Sequence, residues 1–209
     1  MTDTLHRILP QVQKPARYVG GEYNQIVKDK RDVDVRVAFC FPDTYEIGMS
    51  NIGMRILYGL MNELPGVWCE RVFAPWGDME EKMREHAIPL YALESHDPVR
   101  AFDLIAFTIG YEMSYTNILN MLDLSGVPLL ARERKGLENI VFAGGVCAVN
   151  PEPLADFIDF FSFGEGEEIT KEILACYRQA KKDGCSKDEF LLRISRIDGV
   201  YVPSFYEHS

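Results

Sequence analysis

The sequence lacks the features that mark a metal site, a membrane span or a secreted protein. Its five cysteines are odd in number, and no two of them stand at the short separations of zinc or iron–sulfur ligands. No apolar run reaches membrane-spanning length, and residues 1–10 lack the basic-then-apolar layout of a secretory signal. These absences predict a cytoplasmic protein with reduced, mainly structural thiols, no membrane contact and no metal site.

Positive charge and histidine are also scarce. The chain has 22 Lys and Arg against 32 Asp and Glu, a formal net charge of -10. Because phosphate contacts need clustered Lys and Arg, we expect no direct binding to nucleic acid. The four histidines fall on predicted surface or terminal segments, which argues against a histidine-based nucleophilic or metal site: His6, His86, His96 and His208.

Nucleotide-binding loops and a catalytic pair are missing as well. There is no Gly-rich loop ending in Lys-Ser/Thr, and no Gly-x-Gly-x-x-Gly follows the first predicted strand. Four loop carboxylates could act as acid and base, but nothing in the sequence sets two at a working separation: Asp43, Glu112, Glu165 and Glu167. Glu167 equally fits the preference for negative charge at a helix N-terminus. We predict no catalytic residue.

What the sequence does have is a regular alternation of strands and helices. Residues 35–41 form an apolar run typical of a strand buried on both faces, followed by a polar loop and a helical pattern with Ser50 as a plausible N-cap. Similar apolar runs at 68–74, 103–109, 139–143 and 157–163 each precede a loop and a helical pattern. Five such strands predict an α/β fold with a doubly wound, mainly parallel sheet of the flavodoxin-like or Rossmann-like type.

The composition of the ends predicts a division into three parts. Residues 1–33 have no clean period and several Pro and Gly, so we expect an extended arm with at most one helical turn. Residues 34–185 hold the α/β domain, and residues 186–209 hold a last helix, opened by a Ser-Lys-Asp-Glu capping box, and a domain junction. The strand-like tail at 200–206 is expected to pack poorly or to add as an edge strand.

The loops that follow the five strands should lie along one edge of the sheet, where open α/β sheets bind ligands. They are residues 42–48, 75–78, 110–114, 144–150 and 164–167. Together they predict a broad, glycine-lined, weakly acidic trough. The adjacent glycines Gly144 and Gly145 admit a ligand close to the backbone, or simply a turn that a side chain would obstruct.

The motifs in these loops resemble, in kind and order, those of a known group of proteins. Residues 42–48 read Pro-Asp-Thr-Tyr-Glu-Ile-Gly, Gly144-Gly145 precede an Asn-Pro-Glu, and 164–167 read Gly-Glu-Gly-Glu. This order is similar to the N-terminal cobalamin-binding-type domain of B12-binding radical S-adenosylmethionine (SAM) proteins, closest to an uncharacterised family among them, over residues 17–206. The resemblance implies a radical SAM domain as partner, joined C-terminally or acting in trans, which carries the [4Fe–4S] cluster and S-adenosylmethionine. The Cys-x-x-x-Cys-x-x-Cys loop of that domain is absent here, so the resemblance places the radical chemistry outside this chain.

The resemblance also bears on the cofactor. Asp43, Tyr45 and Gly48 keep the spacing of an Asp-x-His-x-x-Gly cobalamin motif, with Tyr45 in place of the cobalt-ligating His. A neutral phenol is a poor cobalt ligand, so bound cobalamin would have no protein nitrogen on cobalt. Tyr45 would pack against the corrin or its displaced base; alternatively, it is a half-buried loop aromatic in a domain that has lost the cofactor. On this basis Tyr45→His should strengthen binding, and a large residue at Gly145 should abolish it without unfolding the domain.

Three functions follow from these patterns. The first is a module that binds cobalamin and presents it to a radical SAM domain, and the second is a docking module without a corrin that positions a substrate or partner. A free-standing flavin protein has least support, because residues 42–48 offer only Thr44 to a flavin phosphate. No catalysis is expected from the chain alone. The candidate cofactor-binding residues are Asp43, Tyr45, Gly48, Ser50, Gly110, Tyr111, Glu112, Gly144, Gly145, Gly164, Glu165, Gly166 and Glu167.

Overall fold

The computed structural model describes residues 2–206, apart from the side chain of Thr2. His208 and the last residues of the predicted junction lie outside this range. The described strands form one sheet in the order β2-β1-β3-β4-β5-β6. Their bounds are β1 Val35–Phe41, β2 Val67–Phe73, β3 Leu104–Thr108, β4 Ile140–Gly144, β5 Phe160–Ser162 and β6 Val200–Tyr201.

The first five strands are parallel, and their order is that of the flavodoxin-like doubly wound fold, which confirms the predicted fold class. The sixth strand comes from the predicted strand-like tail. It pairs antiparallel with β5, Phe161 opposite Tyr201, and so adds an edge strand to the five predicted from the sequence.

Helices cover both faces of the sheet, as the nearly continuous apolar strands require. Their bounds are α1 Thr2–Ile8, α2 Tyr45–Ser50, α3 Ile52–Glu63, α4 Gly77–Glu85, α5 Tyr115–Ser125, α6 Gly166–Asp183 and α7 Lys187–Ile194. Helices α3, α6 and α7 pack on one face, and α1, α4 and α5 on the other. Strands β1–β5 are buried on both faces, and six of their residues that are at most 3% exposed are Val37, Phe39, Leu104, Ile105, Val141 and Phe160.

The segment after β1 differs from the predicted loop. Residues from Tyr45 to Ser50 form α2, which begins where the Thr44 carbonyl accepts hydrogen bonds from the amides of Ile47 and Gly48. The N-cap of α3 is Asn51, whose side chain accepts from the Met54 amide at 2.9 Å. Ser50 was therefore the wrong N-cap, because its hydroxyl donates backwards to the Ile47 carbonyl.

The arm, residues 2–33, is more tightly packed than the extended segment predicted. Leu5, Ile8 and Val12 are buried against the face that α4 and α5 cover. The spacing of these apolar residues is helical, a signal that the Pro and Gly residues of the segment obscured. Farther along, the arm crosses β2: Trp68 Nε1 donates to the Ile26 carbonyl at 3.0 Å, and Lys28 Nζ donates to the Val67 carbonyl at 2.5 Å.

The capping box predicted for the last helix is confirmed in detail. Ser186 and Glu189 form the reciprocal capping box of α7, and Gly184 ends α6 with a positive φ of 66°. Within residues 2–206, no helix is long and apolar enough to cross a membrane.

Candidate functional site

A cleft of about 330 Å³ opens at the carboxyl ends of the strands, beside the β1–β3 switch point of the sheet. Chain connections diverge on either side of this point, and ligands of open α/β sheets bind there. The floor is the sheet face that carries Phe39, Ala106 and Phe142. Helix α3 supplies one wall through Leu57 and Met61, and the first turn of α6 supplies another.

Glycines at the strand ends form much of the rim of this cleft. The predicted site residues that line it are Gly110, Gly144, Gly145, Gly164, Gly166 and Glu167. The sequence prediction therefore brought together residues from the exits of β3, β4 and β5. These residues lie together because strands that run in one direction end at the same edge of a sheet.

Gly145 is required by packing between two exit loops. Its φ is 104°, and a Cβ at this position would lie 2.7 Å from the Ile109 carbonyl oxygen. A large residue at Gly145 would thus disturb the fold, contrary to the expectation from the sequence. Gly110 differs, because a Cβ there would meet no atom within 4 Å. Of these two cleft positions, Gly110 is the one where a side chain can be added into open space.

Polar groups in the cleft are few. Thr108 and Ser162 end their strands, and Thr170 lies on α6. Glu167 is the one ionisable side chain of the lining. A general acid and base need two positioned proton carriers, so this arrangement favours binding over acid–base chemistry. Thr108, Ser162 and Thr170 were not among the candidates named from the sequence, although the first two are recognisable there as hydroxyl residues at the ends of strands.

Asp43 and Tyr111 lie outside the cleft lining and join two exit loops. The Tyr111 hydroxyl donates to Asp43 Oδ2 at 2.5 Å, and this hydrogen bond raises the pKa of Tyr111. Asp43 Oδ1 accepts from the Thr44 amide at 2.7 Å, and the Asp43 carbonyl accepts from the amide of Ala74. Asp43 therefore ties together the segments that follow β1, β2 and β3.

Tyr45 and Gly48 face β2 and do not line the cleft. The Tyr45 ring lies edge-on to Phe73, with centroids 5.4 Å apart. Burial raises the pKa of the Tyr45 phenol to about 12, and the neighbouring Glu22 acts in the same direction. Gly48 is buried against the Phe73 ring, where a Cβ would clash. Two of the three residues whose spacing resembles a cobalamin motif, Tyr45 and Gly48, therefore pack against Phe73.

The remaining candidates occupy the surroundings of the cleft. Ser50 is exposed on α2, and Glu165 is the N-cap residue of α6 without a side-chain capping bond. Glu112 begins a turn before α5, next to Cys147. Burial and the Glu112 carboxylate raise the pKa of the Cys147 thiol. Among residues 2–206, no three His, Cys, Asp or Glu side chains are grouped so that they could hold a metal ion.

The family described as the N-terminal part of radical SAM proteins matches residues 53–203. This chain belongs to that family. An uncharacterised protein of Methanocaldococcus jannaschii is 29% identical over 143 residues, which cover 66% of this chain and 26% of that protein. The radical SAM N-terminal chain therefore spans about a quarter of the length of the curated relative that it matches.

The strand-exit edge of this radical SAM N-terminal domain also carries exposed apolar side chains, of which only Tyr111 was among the candidates named from the sequence. They follow the exits of β1, β2, β3 and β4, are between 41% and 85% exposed, and are called the apolar rim below: Ile47, Ile52, Trp76, Tyr111, Met113, Val146 and Val149. Exposed apolar side chains grouped in this way are typical of surfaces that contact another molecule.

Proposed function

We propose that this chain is the corrinoid-binding module of a radical SAM protein, and that its cleft receives the nucleotide tail of cobalamin. The observation that supports the proposal most directly is the position of the cleft. It runs between the sheet and the helices α3 and α6, at the switch point, with glycines where the backbone must come close to a ligand.

The chemistry of the lining fits this tail. The aromatic rings of Phe39 and Phe142 suit a flat heterocycle, and the hydroxyls of Thr108, Ser162 and Thr170 suit a ribose and a phosphate. The volume of 330 Å³ lies near the lower limit of about 300 Å³ for small-molecule pockets. It therefore suits a ring and its sugar, whereas the larger macrocycle would be held by the apolar rim.

Cobalt would receive no histidine nitrogen from residues 2–206. None of His6, His86 and His96 lines the cleft, and the Tyr45 phenol, with a pKa of about 12, stays neutral near neutral pH. Bound cobalamin would supply cobalt–carbon chemistry such as methyl transfer. A radical SAM partner domain, joined C-terminally or acting in trans, would carry the [4Fe–4S] cluster and S-adenosylmethionine, so this chain would bind and position without catalysing by itself.

A docking module without corrin is the second candidate, and the apolar rim favours it. In that case Met113, Val146 and Val149 contact a partner domain directly. Tyr45 and Gly48 then serve only in packing on Phe73. The two candidates differ in what the cleft binds, not in the fold.

Titration with hydroxocobalamin, followed by its visible spectrum, separates the two. We expect micromolar binding by the parent chain and at least about tenfold weaker binding by Gly110→Leu, because leucine there enters open space in the cleft. Gly59→Leu is the matched control, since Gly59 lies on α3 in open space outside the cleft lining.

Both variants should first be shown to unfold at the same temperature as the parent chain, so that a difference in uptake reflects the cleft and not the fold. Uptake by Gly59→Leu and not by Gly110→Leu supports corrinoid binding in the cleft. Equal uptake by both variants rejects the cleft as the site. No uptake by the parent at micromolar concentrations supports the docking module.

A further inference from the structure

A second pocket, of about 490 Å³, lies where β4 and β5 begin, at the opposite edge of the sheet from the cleft. Four segments meet there: residues 131–135 before β4, residues 155–159 before β5, the start of α7, and residues 203–206 of the tail. We call it the amino-edge pocket. Nothing in the family match or in the cleft proposal assigns it a role.

A buried group of three charges lies at the base of the amino-edge pocket. The Asp159 carboxylate receives Arg134 Nη2 at 3.0 Å on one oxygen and lies 2.5 Å from Lys187 Nζ on the other. The side chains of Asp159, Arg134 and Lys187 are 0%, 1% and 10% exposed. Two buried cations share one buried anion, so the group carries a surplus of one positive charge.

Backbone carbonyls hold this charge in place. Arg134 also donates to the carbonyls of Pro128 and Phe157, each at 2.7 Å, and Lys187 donates to the carbonyls of Ala131 and Arg134. Carbonyl dipoles solvate the cations but do not neutralise them. In a buried, low-dielectric setting, a fixed surplus charge attracts an anion more strongly than it would in water.

Two further cations stand on the lining of the pocket. Arg132 and Lys135 are exposed, and neither makes an ion pair among residues 2–206. Together with Arg134 and Lys187 they set four cations against three carboxylates, Asp156, Asp159 and Asp188. The pocket is thus positive within a chain whose net charge is -10.

We propose that the amino-edge pocket binds a small phosphate-bearing molecule. The fixed charge of the buried group attracts the anion, and Arg132 and Lys135 contact the phosphate oxygens. The volume of 490 Å³ falls within the range of about 300–1,000 Å³ of small-molecule sites, so the pocket accommodates more than a single ion. The exposed ring of Tyr206 at its margin offers an apolar surface to the rest of the ligand.

Calorimetric titration of the full chain with inorganic pyrophosphate tests this site. We expect one saturable site in the parent and at least about tenfold weaker binding in Arg132→Gln/Lys135→Gln. The matched control is Lys182→Gln/Arg196→Gln, which removes two exposed cations, also without ion pairs among the described residues, from outside the pocket. Both double variants lower the net charge equally and leave the buried group intact.

Each result decides the proposal. Weakening confined to the pocket variant supports it, and weakening of equal size in both variants reduces the effect to overall charge and overturns it. The absence of saturable binding by the parent below millimolar concentrations also overturns it. Gly110→Leu must bind pyrophosphate like the parent, which separates this site from the corrinoid cleft whether or not that proposal holds.

Discussion

The two edges of one sheet build their pockets by different means. At the carboxyl edge, backbone segments approach closely at glycines, and the cleft lining holds a single ionisable side chain. At the amino edge, buried charges gathered from distant segments form the base of the pocket. A cleft made by close backbone approach is blocked when side-chain volume is added, whereas a pocket made by charge is lost when charge is removed.

The largest loss of stability is expected when the buried charges at the base of the amino-edge pocket lose their shared carboxylate. Asp159→Asn keeps the side-chain shape but leaves Arg134 and Lys187 buried without an anion, which should lower the free energy of unfolding by about 3–5 kcal/mol. Urea unfolding measures the change. Glu168→Gln, which breaks the exposed pair with Lys171, is the control and should cost at most about 0.5 kcal/mol. Similar losses in both variants would contradict the distinction between buried and exposed charge.

The second largest loss of stability is expected at the cleft, where backbone segments approach closely at glycines. Gly145→Val places a branched side chain at a φ of 104° against the Ile109 carbonyl, so we expect a loss of about 2 kcal/mol or more. Gly110→Ala should stay within about 0.5 kcal/mol of the parent, because its Cβ meets nothing within 4 Å. Thermal unfolding compares the two. If Gly145→Val were tolerated, close backbone approach would not organise this edge.

A smaller loss of stability is expected when the hydrogen bond between Tyr111 and Asp43, which joins two exit loops, is removed. Tyr111→Phe removes the hydrogen bond to Asp43, and because Tyr111 is 41% exposed we expect a loss of only about 0.5–1 kcal/mol. Tyr23→Phe is the control, since Tyr23 is fully exposed and should show no change in urea unfolding. An unchanged stability in Tyr111→Phe would mean that the hydrogen bond from Tyr111 to Asp43 does not stabilise the exit loops.

The smallest effect appears only at alkaline pH. The pKa of Tyr45 rises from 10.0 to about 12 on folding, so the folded state holds this proton more tightly than the unfolded state. Its contribution to stability is complete below pH 10 and is lost as the pH rises through about 12. Tyr45→Phe should therefore lose less stability than the parent between pH 10 and about 12 in thermal melts. A parallel decline in both proteins would show that Tyr45 does not titrate in this window.

The sequence predicted the fold because its strands are local patterns. Buried parallel strands read as apolar runs, and their order along the chain constrains the sheet through right-handed crossovers. Most glycines of the cleft could be found for the same reason, since Gly110, Gly144, Gly145, Gly164 and Gly166 lie at or within a few residues of a strand end. α2 was missed because it begins within the polar segment after Pro42, which favours a loop on composition alone.

The amino-edge pocket could not be found in this way. Arg134 and Asp159 are 25 positions apart, and Lys187 lies on a helix still farther along the chain, so no spacing rule connects them. Tyr45 shows the opposite error, in which a spacing along the chain indicates a site that the fold does not place there. Its spacing to Asp43 and Gly48 indicated a cofactor position, whereas its ring packs on Phe73. Tyr45→His is therefore expected not to tighten cobalamin binding, since this position packs on Phe73 and does not line the cleft.

The arm also protects one edge of the sheet from pairing with other chains. Strand β2 is the parallel edge of the sheet, and an open edge of this kind is a template for other chains. Here Lys28 binds the Val67 carbonyl, Asn62 binds both backbone groups of Cys69, and the Arg71 carbonyl accepts from the Leu93 amide. Side chains and a loop thus complete the hydrogen bonds that a further strand would otherwise make. A variant that begins at the predicted boundary, residue 34, would lose the Lys28 contact and free the first part of this edge for aggregation.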